Sequence, residues 1–305
     1  MGLLLWSMIA CGPEFGFDPI ESDTSPVVRT TVTDRFVQAN PPAVDVLIVV
    51  DDTASMAQEQ EALAEAFDDL VSALDEVGVD WQIGLTSMDV VREDAGWLLG
   101  NPWILSPSVS VGLPSLGTAG TGPEAGLGAA LLALELAGPG GPNEGFRRDS
   151  AALHVLFVSD ADDASDTVFE GDPVAGFLSA LADEGNNGLP AVAWAVVGDA
   201  PLGCSGPDGS AVAGTRYVDV VTQSGGGLSS VCEPDVAPFV AALGASTAVW
   251  ATEFPLSHVP AGLVVVIVDD VAVADGWTVA EGVVRFDAPP GPGAEIVVTY
   301  VVEVP

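Results

Sequence analysis

The chain has 305 residues, 49% of them hydrophobic, and a formal net charge of −37, with seven basic residues that are all arginine. That length and apolar content allow one large domain and a smaller one, each with a real core. The acidic surface repels nucleic-acid phosphates and anionic lipid headgroups and argues against both as partners. The absence of lysine excludes the usual phosphate-loop NTPases and lysine Schiff-base chemistry.

In chain order, Gly2 to Ala10 form a short apolar stretch that ends on Cys11. It is too short to span a bilayer and looks like the end of a secretory signal. Met8-Ile9-Ala10-Cys11 is similar to a bacterial lipobox, in which the cysteine is lipidated after cleavage, although no Lys or Arg precedes it. Residues 1–11 are therefore expected to be a signal peptide with Cys11 as lipid anchor, the protein's one link to a membrane. Residues 12–41 are polar, contain several prolines and show no sustained period, so they are expected to be a flexible linker.

From Val44 the pattern changes. Val44 to Val50 is nearly all apolar, the mark of a strand covered on both faces. Met56 to Val77 carries Leu63, Phe67, Leu70, Leu74 and Val77 at helical spacing, and Gly78 is a natural stop. Trp81 to Leu85 reads as a strand, Glu124 to Leu136 as a helix and Leu153 to Val158 as a further buried strand. Val174 to Leu181 reads as a helix, Ala191 to Val197 as a strand, and Arg216 to Thr222 and Asp235 to Leu243 as helices. Strands alternating with helices predict a doubly wound, mostly parallel α/β sheet over residues 42–250. After Trp250, short β-rich runs at Leu263 to Val268, Trp277 to Val279, Val283 to Phe286 and Ile296 to Val302 predict a small antiparallel domain over 251–305.

The chemistry concentrates where the first buried strand ends, at Asp51-Asp52-Thr53-Ala54-Ser55. Ligands of open α/β sheets bind at the carboxyl ends of the strands, and oxygen-only side chains there suit a hard divalent cation. The opposing reading is simple helix capping by Asp, Ser or Thr, which does not account for two further residues. Thr121 lies in the glycine-rich segment before the helix at 124, with Thr118 as a rival, and Asp160 ends the strand at 153–158.

Together these three segments resemble the metal-ion-dependent adhesion site of von Willebrand factor type A domains. In that family the first strand ends in Asp-x-Ser-x-Ser, and a Thr and a later Asp complete the site. Here Thr53 stands where Ser is usual. The resemblance implies that Asp51, Thr53, Ser55, Thr121 and Asp160 hold Mg²⁺, or Mn²⁺ or Ca²⁺. It also implies a protein partner that supplies an acidic side chain to the ion, with no catalysis. Such a ligand must approach a strongly negative protein, so screening by salt is expected to help binding. The alternative is a structural envelope component without metal control.

The chain also resembles exported type A domain lipoproteins of myxobacteria, which implies an extracytoplasmic protein on the cell envelope or surface. If Cys11 is lipidated, Cys204 and Cys232 remain as an even pair, expected to form a disulfide in an exported protein, the alternative being two buried thiols. The acidic loop Asp160 to Asp166 lacks the glycine and terminal glutamate of a helix-loop-helix calcium site and reads as solvated. Of the two histidines, His154 reads as a core residue and His258 as part of an interdomain segment; neither sits beside a nucleophile-elbow motif, so no catalytic triad is expected.

Overall fold

The computed structural model describes residues 28–39, 42–99, 116–167, 171–185, 188–206, 209–233 and 235–304. The signal-like segment with Cys11 and the first part of the expected linker lie outside them.

The larger unit is a five-stranded parallel sheet. Strands β2 (Ala43–Val50), β3 (Asp80–Ser87), β4 (Ala151–Ser159), β5 (Ala191–Val197) and β8 (Leu228–Ser230) lie in the order β3-β2-β4-β5-β8. Every residue of β2 and β4 is buried, because both strands have a neighbour on each side and helices on each face. The helices are α1 (Ala57–Val77), α2 (Gly126–Glu135), α3 (Pro173–Glu184), α4 (Thr215–Ser224) and α5 (Ala237–Ala245). α1 and α5 cover one face: Leu63, Phe67, Leu70, Val240 and Leu243 pack on Val44, Val46 and Ile48. α2, α3 and α4 cover the other, where Leu127, Phe177, Leu181 and Tyr217 pack on Leu47, Val49 and Phe157. Alternate residues of one strand thus feed two separate cores, which is why β2 reads as a continuous apolar run rather than an alternating one. Gly78 ends α1 in the left-handed region (φ 71°), its N–H reaching the Leu74 and Asp75 carbonyls.

The smaller unit pairs two antiparallel sheets. One has the order β1-β14-β10-β11, made of β1 (Val28–Val37), β14 (Glu295–Val304), β10 (Val264–Val268) and β11 (Val271–Val273). The other is β12-β13-β9, from β12 (Trp277–Ala280), β13 (Val283–Phe286) and β9 (Glu253–Pro255). Their inner faces share a core of Phe254, Val266, Val284, Ile296, Val298 and Tyr300. Phe36 and Phe286 flank Phe254 at ring-centroid distances of 5.4 and 5.7 Å.

This corrects the expectation of a linker through residue 41. Residues 28–37 form a ten-residue strand that pairs along its whole length with β14, from Val28↔Val304 to Val37↔Glu295. Val32 and Phe36 pack against the small core with Asp34 between them on the same face, while Thr31, Thr33 and Arg35 occupy the outward positions. Gln38 then anchors the exit from β1. Its side chain is 1% exposed, and its Nε2 donates to the Ala251 carbonyl at 2.8 Å.

Candidate functional site

The five expected residues belong to three loops at the carboxyl end of the parallel sheet. β2 and β4 are neighbours in register, Val50 opposite Val158, so Asp51 and Asp160 leave the sheet from adjacent strands. The Asp51 N–H donates to the Val158 carbonyl at 3.0 Å and carries the pairing one residue past β2. Asp51 is fully buried. One of its carboxylate oxygens accepts from the Thr53 N–H at 2.8 Å and the other from the Ser159 hydroxyl at 2.8 Å. Thr53 and Ser55 share a hydroxyl–hydroxyl hydrogen bond of 3.1 Å. Neither side chain caps the short helical turn Ala54–Met56 that precedes α1, nor α1 itself. The Ser55 hydroxyl instead lies beside the Asp160 carboxyl and favours its ionised form. Asp51, Thr53, Ser55 and Asp160 therefore form one connected group, with Ser55 exposed at its edge.

The second loop is brought in by residues that the motif did not name. The Gly120 N–H donates to the Asp52 carbonyl at 2.8 Å, and the Gly122 N–H donates to Asp89 Oδ2 at 3.0 Å. Thr121 sits between these two anchors with its side chain exposed. A Cβ on Gly120 would lie 2.1 Å from Asp52 Oδ1, and one on Gly122 would lie 2.0 Å from Asp89 Oδ1. The glycines that flank Thr121 are there because two carboxylates press against the loop. Buried Gln60, on α1, donates to the Asp51 carbonyl at 2.8 Å and to the Gly117 carbonyl at 3.2 Å, joining the first and second loops. Thr118, the rival to Thr121, follows directly after that tethered carbonyl. The glycines in the second loop signalled close backbone approach; nothing local in the sequence singled out Gln60, Asp52 or Asp89 as what they approach.

Charge is distributed unevenly around the group. Arg92 donates to Asp52 Oδ2 at 2.8 Å and also pairs with Asp94. Among the described residues neither Asp51 nor Asp160 forms an ion pair. Burial lifts the Asp160 carboxyl above the usual carboxylate range; the Ser55 hydroxyl works against that lift and the charge of Asp51 adds to it. A pair of carboxylates, one buried and one half-buried, with hydroxyls beside them and no guanidinium is a donor set suited to a hard cation. No group of three or more His, Cys, Asp or Glu able to hold a metal occurs among the described residues. The five-residue set has only two such residues, and its remaining oxygens are hydroxyls.

The loop after β4 departs from the solvated reading. Asp163 is buried, and its carboxylate accepts from the Leu127 N–H at 3.0 Å and the Ser165 hydroxyl at 2.6 Å. Ser165 Oγ accepts from the Gly128 N–H at 2.8 Å. Together they cap α2 from a distant loop, because Ala125 offers no capping side chain. Asp162 accepts from the Arg216 N–H at 3.0 Å at the start of α4. Two acids of this run are helix caps.

Cys204 and Cys232 form a disulfide with a Cα–Cα distance of 6.0 Å. His154 is buried, its Nδ1 accepting from Trp194 Nε1 at 3.0 Å, and burial pulls its pKa down to about 4. Ser257 does stand beside a histidine, 3.0 Å from His258 Nδ1, but Asp34 bonds to Ser257 and Tyr300. That network ties the segment after β9 to β1. No helix among the described residues is long and apolar enough to cross a membrane.

No family model matches the chain, and no curated protein matches it. Among solved structures it is similar to proximal thread matrix protein 1 from the mussel byssus, with 14% identity and a TM-score of 0.43 over 69% of this chain and 49% of that one. It is also similar to the pilus adhesin SpaC of Lactobacillus rhamnosus GG, with 11% identity and a TM-score of 0.43 over 90% of this chain and 42% of that one. The open conformation of that adhesin gives 12% identity and a TM-score of 0.42 over 90% and 41%. The chain thus spans about half or less of the length of these proteins.

Proposed function

We propose that this protein is a von Willebrand type A module that binds a protein ligand through a divalent cation, as part of an exported, lipid-anchored envelope protein. The observation that carries the reading is the buried carboxylate of Asp51, which has hydroxyl and N–H partners but no arginine and stands in one network with Thr53, Ser55 and Asp160. These four residues and Thr121 would hold Mg²⁺, Mn²⁺ or Ca²⁺ directly or through water. The ion would supply a coordination position for an incoming carboxylate oxygen. The protein's own residues keep the two acids close, fix the second loop through Asp52, Asp89 and Gln60, and hold the rest of the shell neutral. The disulfide supports an oxidising, extracytoplasmic location.

Isothermal titration of the protein with Mg²⁺, Mn²⁺ and Ca²⁺, at constant ionic strength, tests this. Saturable binding of at least one ion is expected, with loss in Asp51→Asn. Binding of none of them, or equal binding by Asp51→Asn, removes the site.

A further inference from the structure

All seven arginines of this chain are engaged by carboxylates: Arg29 with Glu303, Arg35 with Glu295, Arg92 with Asp52 and Asp94, Arg147 with Asp45 and Glu184, Arg148 with Asp45 and Asp80, Arg216 with Asp163 and Asp166, and Arg285 with Glu253. With no lysine, no side-chain cation is left to attract an acidic ligand toward a protein of net charge −37. Beyond the ion itself, attraction on the ligand face has to come from something other than charge.

The structure holds such a feature next to Asp160. The Val212 N–H donates to the Asp160 carbonyl at 3.0 Å, and the Val212 side chain is 60% exposed. Leu202, on the same loop, is 92% exposed. The two are held together by close backbone packing. Gly203 has φ +80°, and a Cβ there would lie 2.2 Å from the Ala211 carbonyl and 3.2 Å from Val212 Cα. The Gly203 N–H donates to the Asp199 carbonyl, and Gly214 N–H to the Gly198 carbonyl, fixing both ends of the loop to the exit from β5. Strands β6 (Cys204–Ser205) and β7 (Ser210–Ala211) pair across it, and the Cys204–Cys232 disulfide ties it to the segment after β8. Beside it a shallow cleft of about 350 Å³ opens between the ends of β5 and β8, lined by Val197, Ala200, Val218 and Leu228 together with the polar Asp199, Ser229 and Ser230. Exposed apolar residues scattered singly carry no meaning. Here they sit on a braced loop that touches a proposed ion-site residue through its backbone.

We propose that the loop bearing Leu202 and Val212 is the apolar half of the ligand surface, and that the partner is a protein segment with a large apolar side chain a few positions from its metal-seeking carboxylate. This rests on the ion-site reading above. The carboxylate would meet the ion while its apolar neighbour covers Leu202 and Val212, and the hydrophobic contact would offset the repulsion between like charges.

The test is a random-peptide phage library selected on the full chain in Mg²⁺ and eluted with EDTA. EDTA-released clones are expected to pair an Asp or Glu with a Leu, Ile, Phe or Met within a few positions. A synthetic peptide from such a clone is expected to bind Leu202→Ser and Val212→Ser about tenfold more weakly each, as the burial of one aliphatic side chain implies, while Mg²⁺ titrates both variants like wild type. Acidic clones without apolar enrichment, or affinities unchanged by both substitutions, overturn the proposal. If no clone is released by EDTA the proposal also fails; retained Mg²⁺ binding then leaves the ion-site reading standing, and absent Mg²⁺ binding removes both.

Discussion

Strand β2 has a buried aspartate near its start and another directly after its end, and the two are treated in opposite ways. Asp45, near the start, is fully buried and gathers two guanidinium groups: Arg148 Nε at 2.8 Å and Arg147 Nη1 at 3.3 Å, with the Arg148 N–H at 2.7 Å as well. Burial still lifts its carboxyl above the usual range, against the pull of those partners. Asp51, at the other end, is equally buried but has one N–H, one hydroxyl and a half-buried carboxylate nearby. On Asp45 the chain places two arginines; on Asp51 it places none, and that acid stands at the carboxyl end of the sheet, the end at which ligands of open α/β sheets bind.

The comparison can be broken most easily at the closed end. Arg148→Ala removes one guanidinium from Asp45 and two links to the Asp80 region, and should cost about 3–5 kcal/mol in chemical denaturation, as expected for breaking a buried pair. A loss below about 1 kcal/mol would mean that Asp45 does not depend on the arginines, and the contrast would fail.

A third buried titratable group lies between the two ends. His154 faces Val46 across the β2–β4 pair, and its Nε2 has no hydrogen-bond partner. Its pKa is about 4 in the fold against an ordinary value of 6.5, so the unfolded chain binds the proton first as pH falls. Its contribution is whole above pH 6.5 and is lost as pH drops toward 4, a loss of about 3 kcal/mol. Denaturation of wild type and His154→Gln between pH 7 and pH 4 measures it. The difference in slope should have that sign, and parallel curves would contradict it.

Smaller effects are expected at the open end. Gly120→Ala drives a Cβ into the Asp52 carboxylate and should cost about 1–3 kcal/mol while displacing Thr121, measured as lower denaturant midpoint and weaker ion binding. Asp51→Asn should be smallest of all without metal: the amide oxygen can still accept from Thr53 N–H and the buried charge is gone, so apo stability should fall by no more than about 1 kcal/mol. A loss on the scale of Arg148→Ala would make Asp51 a structural residue like Asp45.

The closed parts of this molecule were the legible ones. β2, β4 and β5 announce themselves as apolar runs because both faces are covered, and α1 does so through its stripe from Leu63 to Leu74. β1 was hidden because only two of its residues, Val32 and Phe36, pack on the core, with the polar Asp34 between them on the same face, and because its partner β14 lies more than 250 residues away, beyond any local pattern. The three-residue β8 is too short to carry a period. At the candidate site, Asp51 and Asp160 could be picked out because each directly follows a readable strand, and Thr53 and Ser55 because they alternate with Asp51 in the segment after β2. Asp52, Asp89 and Gln60, which fix the second loop, could not, since their partners are backbone groups of a distant turn. Asp162 and Asp163 looked like solvated charge because capping across loops leaves no trace at the helix it serves.

The most direct measurement is the shift in thermal midpoint on adding Mg²⁺ to wild type and to Asp51→Asn, with NaCl matched for ionic strength so that screening of the acidic surface is held constant. A resident site stabilises by about 2.7 kcal/mol when free ion reaches about a hundred times Kd. Wild type is expected to show a saturating upward shift that is absent in Asp51→Asn. No shift in wild type, or the same shift in both, would contradict such a site.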